Sequence, residues 1–361
     1  MNRRSFLQRS LGALTGLSAA GLVLRSAAQD RDSDLVRDMI TPATQEAIDD
    51  GLRFLASQQA ANGAFGTGGY AGNTGVTGLG GLAFMASGSQ PGRGPYGRNI
   101  TQALEYVLSN EDRGVRGFLS SPRGAGHGAM YGHGFATLFL AEAHGMISSP
   151  ELRRRVRDTL GNAVQLIVDS QNREGGWRYQ PRSADADLSV TICQIMALRA
   201  ARNAGVFVPR NTADNCIKYV KECQDRFSGG FRYQRGHGPV GFARTAAGVT
   251  ALYSAGVYKG EEVEKGLDYM IKNKPGDGRG GGIFGEAEFH YYYGHYYAAQ
   301  AMWIAGGRYF REWYPAIRNE LLGRRQGDGS WFDGRTCRHY CTAMALIILQ
   351  IPNNYLPIMH R

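Results

Sequence analysis

Gln171 to Leu198 reads QNREGGWRYQPRSADADLSVTICQIMAL: the exit of one helix, a glycine-aromatic turn, a polar loop and the start of a second helix. Its middle returns 54 residues later, GGWRYQPR at Gly175–Arg182 becoming GGFRYQR at Gly229–Arg235, and a small-residue helix follows again. A helical hairpin repeated at a near-constant period builds a stack, because one unit alone cannot bury its apolar face.

Outward from that unit, two kinds of helix alternate. Amphipathic, charged helices are predicted at Thr44–Gln59, Arg98–Asn110, Arg154–Gln171, Thr212–Gln224, Glu261–Asn273 and Trp313–Arg325. Nearly uncharged helices rich in Ala, Gly and Thr are predicted at Gly75–Ser87, Tyr131–His144, Leu188–Asn203, Phe242–Ala255, Tyr292–Ala305 and His339–Ile351. A helix apolar all round is buried, and one with a polar face lies outside. The expectation is therefore an all-α fold, a single α/α toroid of six helical hairpins over residues 44–351. A C-terminal tail, 352–361, is expected to pack across the first and last hairpins.

The first 28 residues stand apart. Asn2-Arg3-Arg4-Ser5-Phe6-Leu7-Gln8, an apolar stretch from Leu11 to Leu24 and the small residues Ser26-Ala27-Ala28 have the pattern of a twin-arginine export leader, followed by a linker over 29–43. This places the expected mature protein in the periplasm or cell envelope. Loss of the leader removes four arginines and no acid, lowering the net charge from +10 to +6. The remaining bases are dispersed, so no nucleic-acid footprint is expected. Five cysteines (Cys193, Cys216, Cys223, Cys337 and Cys341) form an odd set without framework spacing, which argues against a disulfide scaffold.

The turns after the outer helices share a mark: QQAANGAFG at Gln58–Gly66, QNREGGW at Gln171–Trp177, CQDRFSGGF at Cys223–Phe231 and RQGDGSWFDG at Arg325–Gly334. Gln, then Gly, then an aromatic resembles the QW repeat of squalene-hopene cyclases and the related prenyltransferase β-subunits, and the resemblance spans residues 44–351. It implies a structural role for Gln171/Trp177, Gln224/Phe231 and Gln326/Trp331, the Gln bonding a neighbouring helix end and the aromatic stacking over it.

Aligned on their endings, the inner helices bring Thr77, His133, Thr191, Thr245, His295 and His339 to one level, all polar at the first turn of apolar helices. Two readings stand: a functional mouth, or hydroxyls and imidazoles bonding backbone at helix ends. His127, His237 and His290 lie in loops just before inner helices, and such a cluster suits acid-base work or zinc. The run Phe289 to Tyr297 places Tyr292, His295 and Tyr296 on one helix face. With Tyr131, Trp177, Phe231 and Tyr233 they are candidates for a pocket wall whose ring faces hold a cation or stack on a sugar; plain packing is the alternative. Arg178, Arg232 and Arg244 near the mouth would favour an anionic ligand, or else bond turns and helix ends.

Asp185-Ala186-Asp187-Leu188-Ser189-Val190-Thr191 resembles the DxDD motif of class II terpene cyclases, with Leu188 in place of the last Asp. The resemblance implies Asp187 as the acid that protonates an alkene, Asp185 and Thr191 as its support, and His295 or His339 as base. Asp187 also reads as a helix N-cap. The prenyltransferase zinc site is matched only at His339, within Cys337 to Thr342; without an Asp-x-Cys, the remaining metal set is His295, His339 and Cys337 or Glu288. No cofactor is expected. The leading functional reading is an exported, cyclase-like protein acting on or binding an isoprenoid or similar apolar molecule. The alternatives are a non-catalytic envelope toroid holding a ligand, a protein or a membrane surface, and an exported polysaccharide lyase or hydrolase.

Overall fold

The computed structural model describes residues 39–121, 128–276 and 290–360. The leader, His127, Glu288 and Phe289 lie outside the described residues. A helical body begins at Pro42, and among the described residues it contains twelve α-helices.

Six are outer helices: α1 (Pro42–Gln58), α3 (Gly97–Ser109), α5 (Pro150–Asp169), α7 (Arg210–Glu222), α9 (Glu261–Lys272) and α11 (Gly307–Arg324). Six are inner: α2 (Thr74–Ala86), α4 (Ala129–His144), α6 (Leu188–Asn203), α8 (Phe242–Ala255), α10 (Tyr291–Ala305) and α12 (Arg338–Gln350). The inner helices form a closed ring, α2 on α4, α4 on α6, α6 on α8, α8 on α10, α10 on α12, and α12 back on α2. Each outer helix returns the chain, so the six inner helices run parallel and their N-termini emerge at one end.

Two outer helices begin earlier than the charge pattern predicts. α5 starts at Pro150, with Ser149 accepting from the Leu152 N–H at its N-cap, and α11 starts at Gly307. Proline at the first helical position is a start signal, since its missing N–H has no intrahelical partner there anyway.

The glycine-aromatic turns tie neighbouring hairpins together. Gln59 Nε2 donates to Gly63 O in its own turn at 2.9 Å and to Asn99 O in α3 at 3.0 Å. Gln171 donates likewise to Gly175 O (2.9 Å) and to Thr212 O in α7 (2.8 Å), and Gln224 to Gly229 O (2.9 Å) and Glu262 O in α9 (2.8 Å). Gly175 must be glycine: its φ is +96° and a Cβ would lie 2.3 Å from Asn215 O. Trp177 and Trp331 reach back, donating through Nε1 to Ile167 O (2.7 Å) and Leu321 O (2.8 Å). Gln326 departs from the expected pattern, donating to Arg324 O within its own segment. The ring is closed there by charge instead, Arg325 Nη1 meeting Asp50 Oδ2 of α1 at 2.8 Å.

The C-terminal tail crosses the opposite end of the ring and reaches further than the first and last hairpins. Asn353 Nδ2 donates to Ala86 O at the end of α2 (3.4 Å), and the Ile358 N–H donates to Glu142 Oε2 on α4 (3.0 Å). Arg199 on α6 bonds His360 O. Burial pushes the Glu142 carboxyl up to about 7. No helix among the described residues is long and apolar enough to cross a membrane.

Candidate functional site: the axial cavity

At the N-terminal end of the inner ring lies a cavity of about 810 Å³ to which all six inner helices or their caps contribute. Ligand sites of roughly 300–1,000 Å³ are typical for small molecules.

The polar level expected at the mouth turns out to face the other way. Thr77 Oγ1 accepts from the Phe65 N–H (3.0 Å), Thr191 from Trp177 (3.1 Å), Thr245 from Phe231 (2.9 Å), and His133 Nδ1 from Leu119 (3.2 Å). Each ties the turn after an outer helix to the first turn of its inner helix. In the sixth hairpin the equivalent acceptor is Thr342, taking the Trp331 N–H at 3.0 Å. His339, placed in that register by sequence alignment, instead accepts from the Gly66 N–H of the first hairpin at 2.8 Å. His295 is buried among the rings of Phe242, Tyr291 and Trp313. Burial lowers its imidazole to about 3, with Arg324 adding to the effect, and lowers that of His133 to about 4.

The cavity ring lies two residues earlier. Gly75, Tyr131, Ser189, Ala243, Tyr293 and Tyr340 occupy one register of the six inner helices, and all six line the cavity. Two residues on an α-helix turn by about 200°, so one register looks outward to the turns and the other inward to the axis. Tyr70, Tyr179 and Tyr233 add rings from the connecting segments, Val76 adds an apolar side chain at the ring's own level, and Leu79 and Phe135 supply an apolar region one turn deeper.

Of the residues expected to form the pocket wall, Tyr131 and Tyr233 line this cavity. Trp177, Phe231, Tyr292 and Tyr296 are buried in the wall; Tyr296 packs its ring 5.9 Å from that of Phe135. His237 sits on an exposed turn. Thr191, Thr245 and His133 are held by the turns, as described. Among the described residues no three of His, Cys, Asp and Glu converge as metal ligands. Tyr293 escapes sequence reading because a run of tyrosines on a helix does not say which face meets the axis, and Tyr340 because the sixth helix aligns on His339 by sequence whereas its acceptor is Thr342.

Asp187 is fully buried directly behind the ring. Its Oδ1 accepts from the Val190 N–H (2.8 Å) and from Ser189 Oγ (2.5 Å), so it does cap α6. Its Oδ2 lies 3.6 Å from Nε of Arg178. Asp185 is exposed and meets the same guanidinium at 3.3 Å. Burial raises the Asp187 pKa above its ordinary value against the pull of Ser189, the Val190 N–H, Arg178 and the Tyr233 hydroxyl. Arg178 in turn lies over the Tyr179 ring at 4.7 Å.

A hydroxyl chain joins this carboxyl to the cavity. Tyr131 Oη and Ser189 Oγ are 2.6 Å apart. Ser189 has one proton and gives it to Asp187, so Tyr131 donates to Ser189. The chain Tyr131–Ser189–Asp187 therefore points its protons at the carboxylate. An ionised Asp187 can draw a proton inward along it, and a protonated Asp187 can return one. Burial and the nearby Asp187 hold the Tyr131 phenol well above its ordinary pKa, which fits exchange with a ligand heteroatom. An unactivated alkene needs a much stronger acid.

No protein-family model matches this chain, and no curated protein matches its sequence. Solved structures do match. The apo type II terpene cyclase MstE from Scytonema superposes with a TM-score of 0.56 at 14% identity, covering 88% of this chain and 100% of the cyclase. The fold is an α/α toroid. A variant of MstE solved with its substrate geranylgeranyl dihydroxybenzoate gives 0.55 at 13% identity, over 88% of this chain and 98% of that chain. Cellobiose 2-epimerase from Bacillus thermoamylovorans gives 0.62 at 14% identity, over 86% and 99%.

Proposed function

We propose that this toroid binds an isoprenoid or similarly apolar small molecule in its axial cavity and exchanges a proton with it through Tyr131, Ser189 and Asp187. The observation that carries the reading is the meeting of an apolar region (Val76, Leu79, Phe135) with a hydroxyl chain that ends on a buried carboxyl, all within one cavity of about 810 Å³. The apolar region favours a hydrocarbon body. Asp187 acts as the proton store, and Tyr131 is the group that touches the ligand. The twin-arginine pattern of the first residues supports an envelope location for this activity.

Sugar binding is the second reading, supported by the tyrosine rings and hydroxyls of Tyr70, Tyr179, Tyr233 and Tyr340 on the same wall and by the likeness to an epimerase of cellobiose. Thermal-shift and native mass-spectrometric titrations with geranylgeraniol and with cellobiose separate the two. We expect saturable binding of geranylgeraniol, weakened severalfold in Tyr131→Phe, which keeps the ring and removes the hydroxyl that meets the ligand. Binding of cellobiose alone replaces the isoprenoid reading with the sugar one.

A further inference from the structure

The direction of each hydrogen bond in the wall fixes which kind of polar group the cavity can receive. An ionised carboxylate only accepts, and a phenol has a single proton to give. On one side of Asp187, Tyr131 donates to Ser189 and Ser189 to the carboxylate. On the other side the Tyr233 hydroxyl bonds the same carboxylate, and the hydroxyls of Tyr179 and Tyr233 bond one another. Tyr233 gives its proton to Asp187, so Tyr179 must donate to Tyr233. Backbone contacts hold this second chain against the Asp187 loop: the Leu188 N–H donates to Tyr233 O (2.9 Å), and Gln234 Nε2 donates to Ala186 O (2.9 Å). Tyr293 gives its own proton to Ser189 O (2.9 Å).

Tyr131, Tyr179, Tyr233 and Tyr293 all line the cavity, and every one of these phenol protons is committed to the wall. Burial holds the phenols of Tyr131, Tyr233 and Tyr293 above their ordinary pKa, so they stay protonated and keep these directions at neutral pH. What each of the four shows to the cavity is therefore its ring and an oxygen lone pair. Tyr70 and Tyr340 add hydroxyls that can rotate to either role. Arg244 and His290 line the cavity too, each with an interaction of its own inside the protein. Of the other two arginines considered from the sequence, Arg178 pairs with Asp185 and Asp187, and Arg232 with Asp225.

We infer that the ligand carries a hydrogen-bond donor, a neutral hydroxyl head, that binds between the adjacent phenols of Tyr131 and Tyr179, whose ring centroids lie 6.1 Å apart. This rests on the proposed small-molecule reading and adds the polarity of the ligand's head group to it. A hydroxyl placed there gives its proton to a phenol oxygen and completes a chain toward Asp187. An ether, carbonyl or carboxylate head brings only lone pairs to oxygens whose protons are already given away, and buried acceptors are left facing each other.

The test titrates three ligands that share one isoprenoid body into the full chain: geranylgeraniol, its methyl ether and the aldehyde geranylgeranial. We expect the alcohol to bind at least about tenfold more tightly than either of the others. Asp187→Asn then reverses one chain. The Val190 N–H and Ser189 Oγ keep the amide oxygen at the Oδ1 position, so the amide nitrogen donates to Tyr233, Tyr233 donates to Tyr179, and Tyr179 presents a proton to the cavity. The aldehyde-to-alcohol affinity ratio should rise by at least about fivefold, a change of direction that a loosened wall does not produce. Combining Tyr131→Phe with Tyr179→Phe removes both acceptors and leaves Asp187 and its cap in place, so alcohol and ether should then bind within about twofold of one another. Equal binding of the three ligands to wild type, or tighter binding of the ether or aldehyde, overturns the hydroxyl head and keeps the apolar body. No binding of any of the three removes the isoprenoid body and the inference with it. An alcohol preference that survives unchanged in both Asp187→Asn and the double variant overturns the inference as well.

Discussion

Two rings of side chains, two residues apart on the same six helices, have opposite characters. The outward ring is nearly uniform: Thr77, Thr191, Thr245 and Thr342 each accept the N–H of a turn residue, and His133 does so through its imidazole. The inward ring of Gly75, Tyr131, Ser189, Ala243, Tyr293 and Tyr340 varies from no side chain to the bulk of tyrosine. Uniformity follows from a constant task, since every hairpin must satisfy the same buried backbone donor. Variety follows from a shared cavity, to which each helix contributes something different. In a repeat protein of this kind the regular polar positions hold the fold, and the irregular ones beside them shape the site.

The largest expected effect comes from the one outward position where the chemistry of the acceptor differs. His133 must stay neutral to accept through Nδ1, and its pKa falls from the ordinary 6.5 to about 4 in the folded state. A basic group with a depressed folded pKa binds more protons when unfolded, so its stabilisation is present above about pH 6.5 and is lost as pH falls toward 4. Replacing it by the residue its equivalents use, His133→Thr, removes that loss. The stability difference between wild type and variant should shift in favour of the variant by about 3 kcal/mol between pH 7 and pH 4, measured by urea unfolding at each pH. A pH-independent difference would show that the imidazole is not held neutral.

Next in size is Thr191→Val, which keeps the shape and removes the hydroxyl. The Trp177 N–H is left buried without an acceptor, at a cost of about 2 kcal/mol, and ligand affinity should change by less than about twofold because the hydroxyl faces away from the cavity. A large loss of affinity at unchanged stability would reverse the assignment of the two rings.

The fold was legible because burial and charge alternate helix by helix, and because Gln171, Gly175 and Trp177 return as Gln224, Gly229 and Phe231. The level of the acceptors was legible too, although its direction was not. Thr and His at a first turn look alike whether they face the axis or the outer layer, and only the partner's position decides. The sixth hairpin was misaligned because its turn is tighter: Trp331 lies 11 residues before its acceptor, while Trp177 and Phe231 lie 14 before theirs. Asp187 was legible from its motif, and it is a cap as well as a buried carboxyl behind the cavity wall. Ser189, the link that gives that carboxyl a route to the cavity, carried no signal of its own, since serine in a first helical turn is common for reasons of capping.

The smallest effect tests the inward ring from within. Tyr131 and Tyr293 both line the cavity and both bond to Ser189, Tyr131 at the hydroxyl (2.6 Å) and Tyr293 by donating to the backbone carbonyl (2.9 Å). Changing either to Phe removes one hydrogen bond and keeps the ring, so each should cost about 1 kcal/mol or less. Their coupling to Asp187 should differ. Tyr131 reaches the carboxyl through a hydroxyl that donates to it, whereas Tyr293 ends on a carbonyl that passes no proton onward. A double-mutant cycle in unfolding free energy should therefore give about 0.5–1 kcal/mol between Tyr131→Phe and Asp187→Asn, and a value near zero between Tyr293→Phe and Asp187→Asn. Equal couplings would mean that the two tyrosines are interchangeable wall residues and that no directed hydroxyl chain joins the cavity to Asp187.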